Sequence, residues 1–213
     1  MKRFSIAVRF WLLSLVACAA AATFCFAELD LAVARRFWQV GRHLSSLNTA
    51  FGAAVILTLE AVVVLALILA RLVRGRLPRF AEALAIACLA SICAYGINDQ
   101  VLKPIFGVEP PAVVLDGARH SFHWLMGLSD SSFPSGHMVL AGAFAGVFMR
   151  LYRESIGLFC ALLLIAAALL IVGDWHFISD VIAGTFLGVS AGILAGEGWA
   201  VHSSLPPFTS NDG

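Results

Sequence analysis

Long apolar runs separated by short polar and charged segments dominate this chain. The runs are continuous rather than alternating, and most are close to the roughly 20 residues that a helix needs to cross a bilayer. Backbone groups in lipid must be hydrogen-bonded within the protein, which a helix achieves within its own segment. The strands of a membrane barrel would instead show alternating apolar and polar residues. The pattern therefore predicts an all-α polytopic membrane protein, a bundle of six transmembrane helices at residues 6–27, 51–72, 81–102, 135–151, 156–173 and 177–201.

Two parts of the N-terminal region are open to more than one interpretation. The first run follows Lys2 and Arg3 and ends near small residues at Ala27, as a cleaved signal peptide would. Its apolar stretch is long for a signal peptide, which favours a retained helix. Residues 28–50 mix apolar side chains with Trp38 and three arginines, which favours an interfacial helix on the head groups over a solvated connector.

Composition agrees with a membrane protein and excludes several other classes. Of the 213 residues, 61% are apolar and only 13% are charged, against about 25% charged residues in soluble domains. The net charge is +1 and no basic stripe is present, so no nucleic-acid partner is expected. The five cysteines lie inside apolar runs without a CxxC pair, which indicates small buried residues. We expect a single integral membrane domain over residues 1–213.

The distribution of lysine and arginine predicts the orientation, because cytoplasmic loops of membrane proteins are enriched in both. With the N-terminus inside, the inner ends of the runs hold nine such residues and the outer loops hold five. The cluster at residues 71–79 carries the most weight. Both termini are therefore predicted to be cytoplasmic, with residues 28–50, 103–134 and 174–176 outside.

Three polar groups fall at outward ends of the predicted spans. They are Lys103, the sequence Phe-Pro-Ser-Gly-His at residues 133–137, and a segment at residues 174–180 that holds two aspartates and a histidine. The orientation was assigned without them, so their convergence on one side of the membrane is an independent observation. It predicts a single site at the outer face.

His176 and Asp180 are four residues apart and therefore share one helix face. A carboxylate in this position can hold one imidazole nitrogen and leave the other free as a base or a nucleophile. Asp180 also lies one turn inside a predicted span, where ionisable residues are costly and usually functional. The alternative is an interfacial histidine beside a structural acid.

The tetrapeptide Pro-Ser-Gly-His at residues 134–137 predicts an anion site at a helix start. Ser135 can cap the helix, and Gly136 lets an anion approach the free amides of the first turn. His137 could donate a proton to a leaving oxygen. The alternative is ordinary capping chemistry with an incidental histidine.

Lys103 adds a cation at the same level, although a lysine at the end of a span is often only snorkelling. Together these groups predict a phosphate site. A zinc site usually needs three or four close ligands, and Asp174 or His123 could add to the two histidines and the carboxylate. We consider a metal site less well supported by the sequence than a phosphate site. We expect neither a metal nor a cofactor.

These motifs resemble those of the type 2 phosphatidic acid phosphatase superfamily. Lys103 and Pro111 match the ends of its first motif, and residues 134–137 match its Pro-Ser-Gly-His motif in full. His176 and Asp180 match the end of its third motif. The matched core covers about residues 98–188, with the motifs in the family's order.

Two arginines of the family pattern are missing. Pro110 stands in the place of the first-motif arginine and Leu170 in the place of the third-motif arginine. Both arginines bind phosphate in the family, as a guanidinium does by bidentate contacts. Arg119, His120 and His123 in the outer loop are possible substitutes, and the alternative is that this loop is merely solvated.

The resemblance implies a mechanism without a metal. His176 would attack phosphorus to form a phosphohistidine, Asp180 would orient His176, and His137 would protonate the leaving alkoxide and then activate water. The phosphoryl oxygens would be held by Lys103, Ser135 and the amides of Gly136 and His137, with Arg119 as a candidate substitute for the missing arginines.

The implied partners are membrane lipids and a substrate that is a lipid phosphate or diphosphate, entering sideways from the outer leaflet. The implied location is a bacterial inner membrane with the site facing the periplasm. Two alternatives stay open: a lipid phosphotransferase with an alcohol acceptor, and a binding protein that has lost catalysis. The sequence does not decide the oligomeric state.

Overall fold

The computed structural model describes residues 2–50, 52–127 and 130–202, with the side chains of residues 2–7, 42 and 44–50 left out. Regular structure in these ranges is helical, apart from one isolated bridge between Val108 and Phe122. The fold class is the all-α membrane bundle that the apolar runs predict.

The first helical segment is longer than predicted. Helix α1, Lys2–Phe24, passes through a π-helical turn, Cys25–Leu29, directly into α2, Asp30–Ala50. Residues 28–50 are therefore helical, as the interfacial-helix interpretation requires. One face of α2 packs on the protein, because Asp30 and Ala34 are buried. Whether α2 also lies on the head groups stays a prediction.

The apolar part of this segment, Val8–Gly41, has 34 residues. At 1.5 Å per residue it is about 51 Å long, well beyond the roughly 30 Å of a hydrocarbon core. Part of the segment therefore lies outside the hydrocarbon.

The rest of the bundle follows the predicted order. Ala53–Arg74 forms α3, and Arg79–Ile97 forms α4, which continues through a π-helical turn, Asn98–Leu102, into the short α5, Lys103–Phe106. The outer loop contains α6, Pro111–Leu115. The last three helices are α7, Gly136–Leu151; α8, Ile156–Val172; and α9, Ile178–His202.

Five helical segments within the described ranges are long and apolar enough to cross a membrane: Val8–Gly41, Ala53–Arg74, Arg79–Phe106, Arg153–Val172 and Ile178–His202. The shorter α7 is apolar and largely buried, and it packs against α4, α8 and α9. The chain is thus a multi-pass integral membrane protein. The second to sixth predicted spans coincide with helices to within a few residues, whereas the first continues well beyond its predicted end.

Glycines allow α7 and α9 to approach closely. Gly184, Gly188 and Gly192 recur every four residues along α9 and are buried against α7. A Cβ atom on Gly188 would lie 2.5 Å from the carbonyl oxygen of Val139, so no larger residue fits without moving α7. Such small-residue faces favour helix association in membranes, because close van der Waals packing replaces the hydrophobic driving force that is absent in lipid. The contact brings the first turns of α7 and α9 together.

Candidate active site

The predicted partnership of His176 and Asp180 is visible at the start of α9. Nδ1 of His176 lies 3.5 Å from Oδ2 of Asp180, and Asp180 is completely buried. The same carboxylate oxygen accepts a hydrogen bond of 2.9 Å from the amide of Phe177. Asp180 therefore both caps the first turn of α9 and faces the imidazole, at ion-pair rather than hydrogen-bond distance.

His137 stands on the other side of His176. Its Nδ1 lies 3.3 Å from Nε2 of His176, and the two rings meet edge to face with centroids 5.6 Å apart. If His176 carries its proton on Nδ1, towards Asp180, its Nε2 has a free lone pair and accepts from Nδ1–H of His137. In this tautomer Nε2 of His176 carries the free lone pair, and Nδ1–H of His137 points at it.

Ser135 joins the starts of the two helices. Its hydroxyl accepts from the amide of Met138 at 3.4 Å, so it is the N-cap of α7. Its own amide donates to the carbonyl oxygen of Asp180 at 3.1 Å. Ser135 is completely buried. Ser135 thus caps α7 as predicted, and a contact between Ser135 and phosphate stays a prediction.

The π-helical turn Asn98–Leu102 places Lys103 beside the start of α7. The side-chain amide of Asn98 donates to the carbonyl oxygen of Pro134 at 3.1 Å, which fixes the turn against the Pro-Ser-Gly-His segment. A Cβ atom on Gly136 would lie 3.8 Å from Nζ of Lys103 and 2.9 Å from the Tyr95 ring. Glycine at this position therefore leaves space between the lysine and the first amide of the helix.

The charge of Lys103 is partly compensated. Its Nζ pairs with Oδ1 of Asp99 at 3.1 Å and lies 5.9 Å from the centre of the Tyr95 ring. The pair is one helical turn apart and partly exposed. Lys103 therefore offers an incoming anion a positioned donor whose field is weaker than that of an isolated cation.

Asp30 is a buried acid that the sequence interpretation missed. Its carboxylate accepts from the amide of Ser179 at 3.1 Å and also from the hydroxyl of Ser179, and Nε2 of His120 lies 3.6 Å away. Asp30 thus ties the N-terminal helical segment to the first turn of α9, next to Asp180. The available signal was an acid at the outer end of an apolar run, which is costly unless it has a partner.

Of the proposed substitutes for the missing arginines, His120 turns inward. Its ring stacks on Phe26 with centroids 4.0 Å apart and packs against Phe177 at 4.4 Å. Burial lowers the pKa of His120, while the nearby Asp180 acts in the opposite direction. Arg119, one residue before, is exposed. A role for Arg119 in phosphate binding stays a prediction.

The positions of the missing arginines have acquired structural roles. Leu170 is buried in an apolar cluster that includes Met138 and Val181. Its carbonyl oxygen accepts from the amide of Trp175 at 3.0 Å, so this position lies directly beneath the loop that carries His176. Pro110 precedes the first turn of α6. Leu170 is thus part of the apolar packing, and Pro110 lies at the start of a short helix.

The two additional metal ligands considered above have different surroundings. His123 Nε2 lies 3.2 Å from the hydroxyl of Ser121. Asp174 is buried in the loop between α8 and α9, and burial raises its pKa to about 6. Within residues 2–50, 52–127 and 130–202, no three His, Cys, Asp or Glu side chains converge as a metal site would require.

Comparison with known proteins places the fold. The structure resembles the crystal structure of the first transmembrane PAP2-type phosphatidylglycerolphosphate phosphatase from Bacillus subtilis, with a TM-score of 0.51, 18% identity, and coverage of 95% of this chain and 98% of that chain. No curated protein matches the sequence. The sequence model of the PAP2 superfamily matches residues 82–198, more than half of the chain and all the motif residues above. The chain belongs to the PAP2 superfamily.

Proposed function

We propose that this protein hydrolyses a lipid phosphate or diphosphate through a phosphohistidine on His176. The observation that carries the proposal is the contact of one imidazole with two partners: Nδ1 of His176 lies 3.5 Å from Asp180 and its Nε2 lies 3.3 Å from His137. Membership of the PAP2 superfamily supports a phosphatase. The structural neighbour is named as a phosphatidylglycerolphosphate phosphatase, which supports a lipid substrate.

The first half of the reaction transfers the phosphoryl group to the protein. Nε2 of His176 attacks phosphorus, and the bond between phosphorus and the ester or bridging oxygen breaks. The leaving alkoxide or phosphate takes a proton from His137, which enters the step as an imidazolium and leaves it as a neutral imidazole. The substrate has to displace the contact between the two histidines, since phosphorus must lie against Nε2 of His176. Asp180 stabilises the positive charge that develops on the attacked ring.

The second half releases inorganic phosphate. His137, now without its proton, takes one from a water molecule, and the resulting hydroxide attacks phosphorus while the bond to Nε2 breaks. Both halves need the phosphoryl oxygens to be held. Lys103 and the N-terminus of α7 supply this in the proposal, because a helix start and a lysine both favour an anion. Arg119 is the further candidate.

The test of this proposal is phosphate release from purified lipid phosphates and diphosphates, with a labelled alcohol acceptor in the same assay. Inorganic phosphate as the product supports hydrolysis. Label appearing in the acceptor lipid would instead identify the phosphotransferase alternative. Neither product, together with no acid-labile phosphoprotein after rapid quenching, would identify a family member that has lost catalysis.

The proposed location is a bacterial inner membrane with the site facing the periplasm and both termini in the cytoplasm. The excess of lysine and arginine at the inner ends supports it. We expect a cysteine introduced at Arg119, which is exposed in the outer loop, to react with an impermeant maleimide in sealed cells. A cysteine introduced at Arg76, in the loop between α3 and α4, is the matched control and should react only after lysis. The reverse pattern would contradict the orientation.

A further inference from the structure

The first turn of α9 is held by two carboxylates that come from distant parts of the chain. Asp180 belongs to α9 itself and accepts from the amide of Phe177 at 2.9 Å. Asp30 belongs to the N-terminal helical segment and accepts from the amide of Ser179 at 3.1 Å and from its hydroxyl. Asp180 faces His176, whereas Asp30 has no part in the reaction proposed above. The burial of a second acid at this turn therefore needs its own explanation.

Three elements meet at the Asp30 carboxylate. Asp30 is almost completely buried, and Nε2 of His120, from the outer loop, lies 3.6 Å from its Oδ2. The His120 ring is itself packed on Phe26 and Phe177. Removing a carboxylate from water is costly, and buried acids in membrane proteins are usually functional. A helix start in this protein does not require a charge, since neutral Ser135 caps α7.

The backbone on either side of the Asp180 carboxylate is anchored by other elements. The carbonyl oxygen of Asp180 accepts from the amide of Ser135 at 3.1 Å, which joins it to α7. The preceding residue, Ser179, is fixed by Asp30 through both its amide and its hydroxyl. Oδ1 of Asp180 is buried without a hydrogen-bond partner among the residues that the structure describes. The direction of this carboxylate therefore depends on how the backbone of the first turn is held.

The contact between Asp180 and His176 is sensitive to that direction. Nδ1 of His176 lies 3.5 Å from Oδ2 of Asp180, at the outer limit of hydrogen-bond geometry. A small movement of the first turn decides whether the carboxylate can hold the proton on Nδ1 and leave Nε2 free. Asp30 acts on the residue next to Asp180, so it lies where it can control this movement.

We propose that Asp30 is a positioning residue for His176: by fixing the amide and hydroxyl of Ser179, it holds the Asp180 carboxylate against the imidazole. The inference rests on the proposed function, in which His176 is the nucleophile. It adds to that function a residue of the N-terminal helical segment. Because Asp30 is buried and would not touch the substrate, its loss should affect turnover rather than substrate binding.

The kinetic test is Asp30→Ala, which removes both contacts to Ser179. We expect kcat for phosphate release, per folded protein in detergent, to fall by about tenfold or more with KM nearly unchanged, because the attacking ring is misplaced. Glu28→Ala is the matched control. It removes a carboxylate from the same helical segment, but Glu28 is exposed, so kcat should be unaffected. An unchanged kcat in Asp30→Ala would overturn the proposal.

Ser179→Ala tests the path from Asp30 to α9, and it carries the test if Asp30→Ala does not fold. It removes the hydroxyl contact and keeps the amide contact, so kcat should fall by about threefold, as the loss of one hydrogen bond would predict. The double variant should lose less than the product of the two single losses, because the shared contact can be lost only once. Losses that multiply would contradict the path, as would a wild-type kcat in Ser179→Ala.

A spectroscopic test separates the positioning of His176 from catalysis. The probe is the nitrogen NMR shifts of the His176 ring in the full chain in detergent, assigned by their loss in His176→Gln and measured where the ring is neutral. We expect the proton mainly on Nδ1 in the native protein, redistributed towards Nε2 in Asp30→Ala and Ser179→Ala but not in Glu28→Ala. An unchanged tautomer in both α9-contact variants would overturn the proposal. A redistribution in a protein that releases no phosphate would support the positioning and refute the proposed function alone.

Discussion

Replacing His176 with alanine is expected to abolish phosphate release and the acid-labile phosphoprotein together. The loss should be about 10⁴-fold or greater, because removing a nucleophile leaves only binding and electrostatic stabilisation. His137→Ala should slow turnover by about 10²–10⁴-fold, the usual contribution of a general acid and base. It should still form phosphoprotein from a substrate with a good leaving group, since such a group departs without a proton.

The measurement is rapid acid-free quenching after mixing with a lipid phosphate labelled on phosphorus, followed by counting of protein-bound label. Asp180→Asn is the control for folding around His176. An asparagine can still accept from the amide of Phe177, so this variant should fold and lose most of its rate. Full labelling of the His176→Ala protein would show that the nucleophile lies elsewhere.

Gly188→Ala is expected to destabilise the protein, whereas Gly198→Ala on the same helix should not. A Cβ atom at residue 188 meets backbone atoms of Val139, Met138 and Ala143 within 3.0 Å, and backbone cannot turn aside as a flexible side chain can. Overpacking of this kind costs about 1–3 kcal/mol in unfolding free energy. A Cβ atom at residue 198 meets nothing within 4 Å. There alanine should stabilise the helix by about 0.5–1 kcal/mol.

Gly188→Ala should also lower the rate of phosphate release. Helix α7 carries His137 at its start and α9 follows His176, so separating the helices moves one histidine from the other. A displacement of about 1 Å can cost about 100-fold in rate. Thermal unfolding in detergent and phosphate release, measured for both alanine variants, provide the test. Equal melting temperatures for the two would contradict the close-packing account.

Most of the scaffold could be predicted because membrane-spanning helices follow from local sequence alone. A continuous run of about twenty apolar residues forms a helix in lipid, because only a helix satisfies its backbone groups within the run. The helices α3, α8 and α9 accordingly lie within a few residues of their predicted bounds. The motif residues were also found, since each lies at the end of a predicted span. The family is confirmed by the match over residues 82–198. The catalytic roles of those residues stay predictions.

What the sequence did not disclose depends on contacts between distant segments. Asp30 and Ser179 are 149 residues apart, and no local pattern indicates that they meet. Leu170 was interpreted as a lost arginine, and only packing shows that it became part of an apolar cluster under the His176 loop. The four-residue spacing of glycines in α9 does not by itself indicate which helix they contact. Their partner helix, α7, became evident only in three dimensions.

The capping of the two helix starts makes the site electrically asymmetric. The first turn of α9 is capped by two buried carboxylates, Asp30 and Asp180. Their charges compensate the partial positive charge at this end of the helix dipole. The first turn of α7 is capped by neutral Ser135, with Lys103 beside it. In the proposed reaction, a phosphate dianion would therefore be held more favourably at the start of α7 than at the start of α9.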